Sequence, residues 1–171
     1  MKKTAIACLL ALICFMNAEA QKETKKFSIG LGLEAGKPVG QIADAYNLAL
    51  GLSLRLSFHA GPGFATFTSG LIGYAPKTLA GQSAKVGLEI PFRAGYKYIV
   101  QHHLFFMGEL GYSSLNTYYG KNGSVSSSTT GSVTAAPSIG YQANAFEIGL
   151  GYRIYFSPSG GVVGLRIGFN F

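Results

Sequence analysis

From residue 27 onward the chain alternates large apolar residues with small or polar ones at a period of two. The clearest stretch is Leu48-Leu50-Leu52-Leu54-Leu56-Phe58, whose intervening positions are Ala49, Gly51, Ser53, Arg55 and Ser57. A period of two belongs to strands with two unlike faces, not to helices. The same pattern runs through Phe27-Ile29-Leu31-Leu33-Ala35, through a weaker segment from Phe64 to Tyr74, and through Leu88-Ile90-Phe92-Ala94-Tyr96-Tyr98. It continues in Leu104-Phe106-Gly108-Leu110-Tyr112, Pro137-Ile139-Tyr141, Phe146-Ile148-Leu150-Tyr152-Ile154 and Val163-Leu165-Ile167-Phe169-Phe171. These segments predict an all-β chain of eight strands, most with the ~9 to 11 residues that a tilted strand needs to cross a bilayer. In the third segment the facing is open, because Phe64-Thr66-Thr68-Gly70-Ile72-Tyr74 competes with Ala65-Phe67-Ser69-Leu71.

The connections also alternate. Residues 36–45, 75–85, 113–135 and 156–161 are expected to be longer loops, while 59–63, 99–103 and 144–145 are short turns. Short turns at one end and longer loops at the other describe an eight-stranded antiparallel up-and-down transmembrane barrel. An even strand count then places both termini with the short turns, on the periplasmic side. Aromatics are expected to cluster by end, with Phe27, Phe58, Phe64, Tyr96, Tyr98, Phe106, Tyr141, Phe146, Phe169 and Phe171 at the short-turn end. Tyr46, Tyr74, Tyr112 and Tyr152 fall toward the other, giving the two girdles that flank a lipid-facing band. A soluble barrel with the leucines inside is disfavoured, since eight strands enclose room for little more than side chains or one small ligand.

The first 20 residues, "MKKTAIACLLALICFMNAEA", have the charged start, apolar run and Ala-x-Ala ending of a cleaved secretory signal. The barrel domain is therefore expected over residues 21–171, beginning at Gln21. Cys8 and Cys14, the two cysteines of the chain, lie inside this leader, so the exported part offers no disulfide and no thiolate nucleophile or metal ligand. Once Lys2, Lys3 and Glu19 are set aside from 14 basic and 7 acidic residues, the exported part carries a net +6. Its lysines are scattered through ends and loops, which points to solvation and not to nucleic acid.

Charge within the strands is more informative. Arg55 shares the small-residue face, and an arginine turned to lipid at mid-depth costs about 2 to 4 kcal/mol. The same parity places Glu34, Glu89, Arg93, Lys97, Glu109, Glu147, Arg153 and Arg166 inside the bore. Four glutamates then face four arginines and a lysine, and buried charge survives by pairing. Glycines such as Gly30, Gly32, Gly95, Gly111 and Gly168 are expected to leave room for these long side chains. Counting from the short turns predicts the pairs Arg93–Glu109 and Arg166–Glu34.

The stretches "LGLEAGKPVGQIADAYNLALGLSLRL", "IPFRAGYKYIV", "FFMGELGYS", "SIGYQANAFEIGLGYRI" and "VGLRIGFNF" resemble the small outer-membrane β-barrel proteins of Gram-negative bacteria of the Bacteroides group. That resemblance covers the exported chain and implies residence in the outer membrane of the cell envelope. The closing "GFNF" resembles the signal read by the barrel-assembly machinery, which favours aromatics at the last and third-last positions, here Phe171 and Phe169. Arg166 stands where that signal often has glycine.

Function is less legible, because fold does not fix it. The favoured reading is a non-enzymatic, monomeric barrel with a plugged, charged interior and a structural or surface-interaction role. Its partners would be outer-membrane lipid, the assembly machinery and a surface ligand held by the Ser/Thr/Gly-rich segment 113–135; nucleic acid is not expected. A porin-like protein of small conductance is the alternative. A lipid-modifying enzyme is less favoured, because His59, His102 and His103 all fall in the short turns, away from the outer leaflet. No catalytic, cofactor-binding or metal-binding constellation is apparent, and no cofactor is expected.

Overall fold

The structure is a computed structural model, which describes residues 26–77, 85–100, 103–121, 124–157 and 159–171. The leader at 1–20, the start at Gln21, Cys8, Cys14 and His102 lie outside the described residues. Eight strands follow one another: β1 Phe27–Gly40, β2 Tyr46–Ala60, β3 Gly63–Pro76, β4 Lys85–Val100, β5 Leu104–Lys121, β6 Ser124–Ala143, β7 Phe146–Phe156 and β8 Ser159–Asn170. A single helical turn, α1 at Ile42–Ala45, joins β1 to β2. Each strand pairs antiparallel with its sequence neighbours, and β8 pairs with β1 to close the barrel. The seam runs from Gly30 opposite Asn170 to Gly40 opposite Gly160, so no edge is left along the wall itself.

The period-two pattern becomes two faces. Along β2, Leu48, Leu50, Leu52, Leu54 and Phe58 are exposed on the outside, with Leu52 at 63%, while Ser53, Arg55 and Ser57 are buried within. The ambiguous third strand resolves the same way: Phe67 and Leu71 point outward, and Thr66, Thr68, Ile72 and Tyr74 are buried inside. At one end β2 and β3 are joined by Gly61-Pro62, and β6 and β7 by Asn144-Ala145. Gly61 (φ +60°) and Asn144 (φ +51°) take the left-handed backbone that such tight reversals need, a conformation glycine and asparagine tolerate best.

Three sequence expectations change at the other end. Residues 113–135 are not an irregular loop: β5 and β6 pair continuously from Leu104 opposite Tyr141 to Lys121 opposite Ser124, forming a ribbon that outruns the wall. Pairing of β6 with β7 reaches only Thr134 opposite Tyr155, so β6 from Ser124 to Val133 has no strand paired on its second side among the described residues, although Ser132 Oγ accepts from the Ser157 N–H at 3.1 Å. Strand also extends into the expected 36–45 and 156–161 loops, leaving α1 and a turn at Ser157 among the described residues. Of 75–85, residues 78–84 lie outside the described residues.

The aromatic girdles are likewise unequal. Phe27, Phe58, Tyr96, Tyr98, Phe106, Tyr141, Phe169 and Phe171 are exposed near the short turns, and Tyr112 and Tyr152 near the ribbon end. Tyr46 and Tyr74, expected in the second girdle, are instead buried inside the barrel, where their hydroxyls have partners. Phe64 also turns inward, its ring 6.0 Å from Lys97 Nζ.

Candidate functional site

The bore is the one place where the strands concentrate chemistry. Every strand except β3 and β6 delivers at least one charged side chain to it, because inward positions recur every second residue and the pairing registers stack them at successive depths. Glu34 comes from β1, Arg55 from β2, Glu89, Arg93 and Lys97 from β4, Glu109 from β5, Glu147 and Arg153 from β7, and Arg166 from β8. All are buried except Glu34, which is half-buried.

Near the short turns Glu147 collects three cations. Its carboxylate accepts hydrogen bonds from Arg55 Nη1, from Arg166 Nη1 at 2.8 Å and from Lys97 Nζ at 2.8 Å. Lys97 also donates to Gln142 Oε1 at 2.7 Å, and Arg166 Nε donates to Ser53 Oγ at 3.0 Å. At mid-depth Thr68 links two charged partners: its hydroxyl accepts from Arg55 Nε at 3.1 Å and donates to Glu109. Glu109 also stands 3.9 Å from Arg55 Nε and 3.7 Å from Arg93 Nε. Toward the ribbon end Arg93 lies 3.6 Å from Glu34, whose other oxygen accepts from Arg153 Nη2 at 2.6 Å. Arg153 reaches on to Glu89 at 3.1 Å, and the Tyr74 and Tyr155 hydroxyls donate to the same Glu89 oxygen at 2.6 and 2.8 Å.

These contacts join all nine charged residues into one connected network, running from Lys97 through Glu147, Arg55, Glu109, Arg93, Glu34 and Arg153 to Glu89, with Arg166 attached at Glu147. Arg93 and Glu109 do approach each other. Arg166 and Glu34 do not pair, although they sit opposite one another across the β1–β8 seam. The reason is geometric: at a bore only one side chain wide, Arg166 extends over Gly32 and Gly168 to reach Glu147, while Glu34 is met from across the bore by Arg153. The glycines serve two purposes. A Cβ at Gly32 would strike the Arg166 guanidinium, whereas one at Gly95 or Gly111 would strike the backbone of the neighbouring strand.

Both ends of this network are covered. At the ribbon end Ile42 of α1 packs with Tyr46, Ala49, Ile72, Tyr74, Tyr155 and Val162 in an apolar cluster. At the other end the buried Phe105 lies under Lys97, with Nζ 5.2 Å from the ring centre. Sequence reasoning passed over Tyr74, Tyr155, Thr68, Ser53 and Gln142 as members of the site. The inward parity of Tyr155, Ser53 and Gln142 was readable and that of Thr68 and Tyr74 was open, and an uncharged polar residue at an inward position does not reveal its partner.

The remaining candidates sit elsewhere. His59 stacks edge-on against Phe64 at 5.4 Å, and His103 Nδ1 lies 3.2 Å from the Gln142 carbonyl oxygen. Among the described residues no three His, Cys, Asp or Glu side chains come together as a metal site. Phe169 packs edge-on against Phe146, and Phe171 exchanges two backbone hydrogen bonds with Ile29, which ties the C-terminus to β1.

No protein-family model matches the chain, and no curated protein sequence matches it. Solved structures do. Ail, the attachment invasion locus protein of Yersinia pestis, superposes with a TM-score of 0.65 at 14% identity, over 86% of this chain and 100% of that one. The N-terminal β-barrel domain of Pseudomonas aeruginosa OprF gives 0.63 at 14% identity, over 84% and 97%. Neisserial surface protein A gives 0.59 at 14% identity, over 86% and 98%. The chain therefore has the fold of the small eight-stranded outer-membrane barrels.

Proposed function

We propose that this chain is an integral outer-membrane β-barrel with a plugged bore and a non-enzymatic, structural or surface-interaction role. One observation carries the reading: a closed wall turns apolar side chains outward on all eight strands and gathers nine charged side chains into a single connected network inside. An outward face of this kind stays out of water only in hydrocarbon. The short turns and both termini face the periplasm, residues 1–20 are the removed leader, and Phe169 and Phe171 present the assembly signal. The sequence resemblance supports an origin in the Bacteroides group. The β5–β6 ribbon is the surface a partner would meet, a role supported by the attachment function in the name of Ail.

Planar-bilayer recordings of the refolded chain, with heat-modifiable gel migration as proof of folding, test the plug. Silence from folded protein is expected; steady unitary currents would establish the small pore instead. A cysteine placed at Ser128 and labelled on intact cells by a membrane-impermeant maleimide tests the orientation. Labelling only after the outer membrane is broken would reverse it.

A further inference from the structure

The network leaves a space and an imbalance. A cavity of about 70 Å³ lies among the charged side chains, several times the ~10 to 15 Å³ that one water occupies on the same measure. Four of the five bore cations line it, all except Lys97, and three of the four carboxylates, all except Glu89. The lining is thus one positive charge in excess, as is the bore as a whole. Lys97 lies outside the lining, its ammonium bonded to Glu147 and Gln142.

Among the fully buried polar atoms of the lining the unused hydrogen-bonding capacity lies on donors, while Glu34 Oε1 and Glu109 Oε2, also on the lining, meet only Arg93 at 3.6 and 3.7 Å. Arg93 Nε, Arg153 Nε and Arg166 Nη2 are buried N–H donors with no hydrogen-bond partner among the described residues, and Ser138 Oγ is a buried hydroxyl in the same condition; all four residues line the cavity. Glu89 Oε1, the one buried carboxylate oxygen without a hydrogen bond among the described residues, belongs to a residue outside the lining. On the β7–β8–β1 side the lining includes Gly149, Gly151, Gly164 and Gly36, which place no side chain in the space, beside the buried Val162. Water would satisfy the donors but would leave a buried charge uncompensated, a costly state away from solvent.

We propose that the bore contains a binding site for one small monovalent anion of chloride size, held by the unpartnered donors of Arg93, Arg153, Arg166 and Ser138. The anion balances the charge count and completes the network. This inference goes beyond the role assigned to the protein and stands whether or not the ribbon meets a partner.

The test is to refold the full barrel in micelles in chloride, bromide or gluconate at equal ionic strength. A ligand bound only by the folded state raises the unfolding midpoint with its logarithm of concentration, here by about 3 to 6 °C per tenfold increase in chloride above saturation. Crystals grown in bromide should show an anomalous peak within reach of Arg93 and Arg166. Two variants should abolish the chloride dependence while keeping the heat-modifiable fold. Arg166→Gln equalises the charges, and Gly164→Val fills the space without touching one, since a Cβ there meets nothing closer than the Ala35 carbonyl oxygen at 3.4 Å. Equal midpoints in chloride and gluconate with no bromide peak would overturn the proposal, as would a chloride dependence that survives Gly164→Val in folded protein.

Discussion

Glu147→Ala is the sharpest perturbation of the bore. The carboxylate is buried and holds Arg55, Lys97 and Arg166 at once. Its loss leaves three cations facing each other at one depth. Arg55 keeps a distant partner in Glu109 at 3.9 Å and Lys97 keeps the neutral Gln142, but Arg166 retains only the Ser53 hydroxyl. Removing one partner of a buried pair costs about 3 to 5 kcal/mol, which is roughly two to nearly four powers of ten in the unfolding equilibrium. Three orphaned cations place the expectation at the upper end of that range. The chain has no tryptophan, so urea titration in micelles should be followed by far-ultraviolet circular dichroism and by gel migration. Glu147→Gln, which keeps the shape and one acceptor, should lie between Ala and the parent. A Glu147→Ala barrel within about 1 kcal/mol of the parent would mean that water reaches these cations freely, and the network would not be a stabilising element.

The remaining expectations use the same titration. Glu109→Ala should cost less than Glu147→Ala, because its cations stand at 3.7 and 3.9 Å and each retains a second carboxylate; equal or greater loss would contradict this ranking. Tyr74→Phe removes a hydroxyl that donates to Glu89 and contacts Tyr155, and should cost about 1 to 3 kcal/mol. Leu52→Arg puts a cation on the outer face and should cost about 2 to 4 kcal/mol in bilayers; no cost there would place this belt outside hydrocarbon. Gly111→Ala drives a Cβ into the Phe92 carbonyl and should cost about 1 to 3 kcal/mol, whereas Gly108→Ala meets nothing within 4 Å and should be neutral.

The strand order and facing were readable where one face is large and apolar and the other small or charged, as in β2 around Arg55. Phe67 and Leu71 against Ile72 and Tyr74 gave no such contrast in β3. The tie is broken only by what Thr68 and Tyr74 do inside, which is to donate to Glu109 and Glu89. Arg166 and Glu34 show a second limit. Register places them side by side, yet partners in a narrow bore are chosen by reach across it, which depends on the shape of the closed wall. The Ser/Thr-rich run after residue 113 read as a loop from its composition. Asn122-Gly123, a strong short-range signal for a two-residue hairpin, lies in its midst, and Thr and Val suit strands.

The single network also constrains the order in which the barrel can be made. Arg55 finds Glu147 across 92 residues of chain, and Glu34 finds Arg153 across 119. Hairpins supply only part of the pairing: Arg93–Glu109 lies within β4–β5 and Arg166–Glu147 within β7–β8, but Glu34, Arg55, Glu89, Lys97 and Arg153 find their ion-pair partners only outside their own hairpins, so a half-built sheet lying in a bilayer would present bare charge to the acyl chains. Such high contact order makes for slow folding. It also makes curling, insertion and seam closure a single concerted event: an open sheet must keep its inner side wet until β8 meets β1, and dehydration of the bore is the final commitment.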